Sequence, residues 1–164
     1  MVHAGGDRVI LLSGVIAAGA VVGTAAVSSA AAKPKTTKIS CQSTVYYPMP
    51  TQPKGIGFAN LNCPKPGAGA GVQSITYNAT ISSTGAVTAK PAFKDWFDTG
   101  TSHGTASLTG QFTSATAGTV KGPVTITGGT GANKAVRGKG TTSCSTHDGG
   151  ATYTCTTLLK LTGL

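Results

Sequence analysis

The sequence predicts an all-β fold: a single antiparallel barrel of about eight strands, stapled by disulfides. Three observations predict it. Short stretches rich in Thr, Val, Ile and Tyr alternate polar with apolar residues, the period of a strand with one face buried. Glycine and proline punctuate them at regular intervals, with 24 Gly and 8 Pro in 164 residues. Apolar residues rarely recur at helical spacing, and the Thr, Val and Gly content opposes helix. Glycines at strand corners favour a closed barrel over a sandwich, because a small sheet closes only by coiling sharply. Closure also removes the edges that threonine-rich strands would otherwise expose.

The chain divides at its start. Val9 to Val27 carries no charge, and Ala30-Ala31-Ala32 offers the small residues a signal peptidase reads. Residues 1–32 therefore read as a secretory signal peptide, cleaved near Ala32-Lys33, which makes the protein secreted and leaves no stable membrane span after cleavage. Residues 33–38 read as a loose, polar tail, and residues 39–164 as one barrel domain.

Within that domain Ile39 to Tyr47 alternates and forms the first strand, broken by Pro48, Pro50 and Pro53. Gly55 to Cys63 forms the second. Pro64 to Gly71 is a loop, and Val72 to Ile81 a third strand with Ile75, Tyr77, Ala79 and Ile81 on one face. After the turn at Ser83-Thr84-Gly85, Ala86 to Ala89 is a short fourth strand. Pro91 to Thr101 is the aromatic-rich segment. Ser102 to Gln111 alternates around Leu108, and Gly118 to Thr127 is a long strand with a corner at Gly122-Pro123. A hairpin around Asp148-Gly149-Gly150 leads to the leucine-rich end.

The four cysteines are an even set, suited to an oxidising compartment. With Gly149-Gly150 at the centre of a hairpin, residues equidistant from it face each other, and Cys144 meets Cys155. By elimination Cys41 pairs with Cys63. No C-x-x-C pair is present, so a metal site is not expected.

Net charge is +9, from 13 Lys and Arg against 4 acidic residues, and there is no glutamate. Such a surface suits solubility or attraction to an anionic polymer. The lysines are dispersed and not interleaved with aromatics, so nucleic acid is not expected as a partner. Asp98 with His103 is the best acid–base pair the sequence offers, near one mouth of the barrel if the segment joins two strands. Phe93, Trp96 and Phe97 are the candidate apolar ligand contacts. Alternation sends Trp96 and Phe97 to opposite faces, so one of the two faces outward. His147-Asp148 lies at a hairpin tip, where Asp before Gly-Gly is turn chemistry. Gly128 to Gly131 lacks the Lys-Ser/Thr and the helix of a phosphate loop.

Gly118-Thr119-Val120 through Gly128-Gly129-Thr130-Gly131 to Gly138-Lys139-Gly140 resembles the GGTG corner of the allene oxide cyclase and dirigent-like barrel families. Thr99-Gly100-Thr101-Ser102-His103-Gly104-Thr105 and the hairpin from Cys144 to Cys155 are similar to segments of small secreted actinobacterial proteins. The resemblance covers Phe93 to Leu161 and implies a calycin-like eight-stranded barrel. It carries no catalytic residue across, since the glutamate of the plant cyclases is missing and the aspartates and Arg137 do not map onto the dirigent pattern. Asn133 and Ala135-Val136 also stand where that corner has an aromatic residue and Gly-Ala. The functional expectation is a secreted non-catalytic barrel that binds a small apolar ligand or an anionic surface component, without a cofactor. The alternatives are an isomerase or cyclase of the allene oxide cyclase type, with His103 or Asp98 pointing inward, and an inhibitor or structural surface protein.

Overall fold

The computed structural model describes residues 34–49 and 52–164. The expected signal peptide at 1–32 lies outside the described residues. Nine strands follow in order: β1 (Thr36–Tyr46), β2 (Lys54–Cys63), β3 (Gly69–Ile81), β4 (Ala86–Phe97), β5 (Gly100–Ala106), β6 (Leu108–Phe112), β7 (Gly118–Gly129), β8 (Arg137–Thr146) and β9 (Thr152–Thr162). A single turn of 3-10 helix, Gly131–Asn133, lies between β7 and β8.

All pairings are antiparallel, sequence neighbours pair except β5 with β6, and β1 closes on β9. β5 and β6 both lie between β4 and β7, so together they fill one stave of an eight-stave barrel. The interruption between them is Ser107. On one side of it β4 passes from Ala89, paired with Leu108, to Ala92, paired with Thr105, and Pro91 sits in the gap. On the other side Pro123 of β7 accepts the Ser107 amide through its carbonyl, at 3.1 Å. Proline has no amide to give a ladder, and both prolines sit beside this break, where a ladder partner is missing. Gly122 belongs to the same kink, since a side chain there would collide with the Ser107 carbonyl.

Alternation places Ile39, Cys41 and Val45 of β1 inside, with Val124 and Ile126 of β7 and Leu159 and Leu161 of β9. The core forms two clusters. One holds Ile39, Val124, Ile126, Val136, Leu159 and Leu161, the other Val45, Ala59, Ile75, Val87, Leu108 and Val120, and Phe93 and Ala106 touch both. Both disulfides bridge directly opposed residues of neighbouring strands, Cys41–Cys63 with Cα atoms 4.2 Å apart and Cys144–Cys155 at 4.0 Å. The mirror-symmetry argument for the second holds to the residue: Cys144 is registered with Cys155 and Ser145 with Thr154.

Two expectations need correcting. The loose tail is shorter than residues 33–38, because Thr36, Thr37 and Lys38 pair with Thr162, Leu161 and Lys160 to extend β1. The fourth strand is not confined to Ala86–Ala89. It runs to Phe97, since Pro91 is tolerated at the break and β3 pairs along its whole length.

The GGTG corner does structural work at one end of the barrel. Gly131 takes a positive φ of 59°, and Thr130 and Ala132 donate backbone hydrogen bonds to Thr101 and Thr99. The Thr130 and Thr101 hydroxyls are 2.9 Å apart. The corner and the Thr99-Gly100-Thr101 turn are thus one interlocked unit. It seats the helical turn, and with it Asn133, over the barrel end.

Candidate functional site

The barrel interior is not filled. A cavity of about 130 Å³ runs through it, lined by Ile39, Val45, Phe93, Phe97, Ala106 and Val124, among other largely apolar side chains. All four half-cystines contribute to its wall. Its lining reaches Leu164, which is 54 % exposed, so the cavity meets the surface at the end of the barrel that carries the β2–β3 loop and the end of β9. A second space of about 70 Å³ lies at the other end and shares Tyr47, Pro91, Leu108, Cys144 and Cys155 with the first. Tyr47 closes that end, packed edge-on against Tyr77 at 5.0 Å and Tyr153 at 5.8 Å between ring centres. Burial pushes the Tyr47 hydroxyl above the ordinary tyrosine range, so it stays neutral. Tyr46 and Met49, in the same proline-rich region, stand exposed.

One corner of the cavity is polar. Asp95 on β4 is 6 % exposed and faces inward. One carboxylate oxygen accepts from the Ser102 hydroxyl at 2.6 Å, and the other from the Gln73 amide at 2.8 Å. Burial raises the Asp95 carboxyl above the usual carboxylate range, and the hydrogen bonds from Ser102 and Gln73 and the nearby His103 oppose that rise without cancelling it. Register explains the group: Asp95 is paired with Gln73 on β3 and Ser102 on β5, so three polar side chains share one inward row. Asn133 also lines the cavity, 6 % exposed, and its amide nitrogen has no acceptor.

The residues expected from the sequence divide between the two faces. Phe93 and Phe97 line the cavity. Trp96 does not. It points outward beside Val72, with the Lys94 ammonium 5.2 Å from the centre of its ring. Asp98 and His103 are both exposed, which corrects the expectation of an inward acid–base pair. The reason is phase. With Phe93, Asp95 and Phe97 inside, Lys94, Trp96 and Asp98 must face out, and Ser102 inside sends His103 out to meet Lys94. The inward carboxylate is therefore Asp95, a residue sequence reasoning passed over. The signal for it was present: Phe93-x-Asp95-x-Phe97 places the acid on the same face as two phenylalanines. Asp148 caps the hairpin as expected. It accepts from the Thr146 hydroxyl at 2.9 Å and the Thr152 amide at 2.8 Å, and these bonds hold its carboxyl below the usual range.

Comparison with protein-family models, with curated proteins and with solved structures finds no match to this chain.

Proposed function

We propose that this protein is a secreted, non-catalytic barrel that holds a small, mainly apolar molecule in its interior. The observation that carries the reading is the 130 Å³ cavity, walled by aliphatic and aromatic side chains and open at one end. An eight-stranded barrel is just wide enough either to fill itself with side chains or to hold one small ligand. Here the side chains fall short of filling it. Cavities of this size lined by apolar groups stay dry and take up molecules on the scale of a benzene ring. The Asp95, Ser102 and Gln73 corner and the Asn133 amide give such a ligand polar points of contact in a largely apolar wall. Acid–base catalysis by Asp98 and His103 finds no support in their exposed positions.

The test is calorimetric titration with benzene as the probe, followed by substituted benzenes of increasing size. Saturable one-to-one binding that disappears in Ala106→Leu is the expected result, because Ala106 lies at the waist between the two core clusters. Equal binding by wild type and variant would place the probe on the outside and overturn the reading.

A further inference from the structure

The outer face of β1, β9 and β8 carries a row of cations set by register. Lys38 is paired with Lys160, and Lys160 with Lys139, so three lysines stand directly side by side across three neighbouring strands. All three are exposed. Adjacent strands lie about 4.8 Å apart, so the row is a ladder of positive charge at that pitch. Like charges directly opposed across a sheet are destabilising. None of the three strands β1, β8 and β9 contains an aspartate or glutamate to relieve them. Lysines often guard the edge strands of open sheets, but this barrel is closed and has no edge to guard.

The neighbouring rows complete the surface. On one side Thr36, Thr162 and Arg137 align, and on the other Ser40, Leu158 and Thr141. Arg137 is held in place by its own donation to the Lys134 and Val136 carbonyls at 3.1 and 2.8 Å. Hydroxyl donors therefore flank the ammonium row, the complement that phosphate or sulfate oxygens require. The nearest outward aromatic along β1 is Tyr46, eight residues from Lys38 and so about 26 Å away at 3.3 Å per residue. No platform for stacking bases lies beside the lysine row.

We propose that the β8–β9–β1 face is a docking site for a flexible polyanion without bases, a linear chain of phosphate or sulfate groups laid across the lysine ladder. The site is separate from the cavity and does not depend on it.

Inorganic polyphosphate is the probe, with binding followed by anisotropy of an end-labelled chain across a salt series. Two triple variants with the same net charge are compared: Lys38→Gln/Lys139→Gln/Lys160→Gln, and a scattered control, Lys54→Gln/Lys65→Gln/Lys121→Gln, whose members share no row. The ladder variant is expected to lose roughly 100-fold in affinity at low salt, on the scale of one lysine at an anionic surface taken three times. Its log–log salt slope should fall by about 2. The control should lose far less. Equal losses in both variants would mean attraction to net charge alone and overturn the proposal. Tighter, ladder-dependent binding to phosphatidylglycerol vesicles than to polyphosphate would overturn it in favour of a lipid surface. Melting at low and high salt supplies a second readout. With its opposed charges removed, the ladder variant should melt above the wild type at low salt, and the gap should close as salt is added. A ladder variant that melts lower in both would show the lysines to be structural and sink the idea.

Discussion

Ala106 stands where the two core clusters meet, and its methyl group faces the cavity. An empty space of about 130 Å³ at about 24 cal/mol per Å³ leaves the barrel roughly 3 kcal/mol less stable than a close-packed one. Ala106→Leu adds three carbons to that space. At about 0.8 kcal/mol per buried carbon, the variant should gain about 2 kcal/mol if the leucine finds a relaxed rotamer. For a domain of this length that gain corresponds to a rise of about 7 °C in Tm, at an unfolding entropy of roughly 0.28 kcal/mol per kelvin. Calorimetry gives Tm and urea titration gives the free energy, both on ligand-free protein. The same variant must lose the apolar probe. Stability and binding therefore move in opposite directions, the mark of a cavity kept open for occupancy. A variant that melts below the wild type would refute the reasoning, since it would mean the space is closed by side-chain movement in solution and holds no room for a guest.

Asp95 supplies a pH test. Its folded carboxyl titrates above its unfolded value, so its contribution favours the fold below the unfolded value and is lost as pH rises through the folded one. Asp95→Asn should therefore match the wild type in acid and exceed it in stability at pH 7; a constant offset from pH 3 to 7 would refute the assignment. Each disulfide should contribute about 3 kcal/mol by loop entropy, nearer 2.8 for the 11-residue separation of Cys144–Cys155 and nearer 3.4 for the 22 residues of Cys41–Cys63. Paired Cys→Ala variants in urea would measure this, and a loss under 1 kcal/mol in either would show that the reduced chain already holds those strands together. Trp96, the only tryptophan, lies outside the barrel at 39 % exposure. Its emission should be quenched by acrylamide and stay unmoved by an apolar ligand; a blue shift on binding would place it at the site.

The strand order was legible because alternation and glycine or proline punctuation agree along most of the chain. The Cys144–Cys155 bridge was legible because a Gly-Gly centre fixes which residues oppose each other. The strand phase through Pro91 to Phe97 was not. Trp96 and Phe97 are both large and apolar, so hydrophobicity does not say which one is inside, and the acid of that face changes from Asp98 to Asp95 with the answer. The phase is set by partners distant in sequence, Gln73 and Ser102, which bring their polar groups to meet Asp95. Thr36 to Lys38 were missed for another reason. Their pattern is polar on both faces, and only pairing with β9 makes them a strand. The cavity has no sequence signature, because it is the difference between a barrel's bore and the side chains that enter it. The lysine ladder is similar: Lys38, Lys139 and Lys160 look dispersed along the chain and become neighbours only by register.

The seam between β1 and β9 joins the two ends of the domain over eleven registered pairs, from Thr36–Thr162 to Tyr46–Thr152. First and last strands are thus ordinary neighbours, like any other pair in the ring, and the barrel has no privileged starting point. A short linker from the end of β9 to the start of β1 would make one more hairpin of the same hand. The chain could then be opened instead at the exposed Ser82–Gly85 turn between β3 and β4, giving a circular permutant with every stave and both bridges intact. The β1–β9 contact, the most distant in this chain, would become local, while the β3–β4 pairing would come to span the whole chain and move the folding rate accordingly.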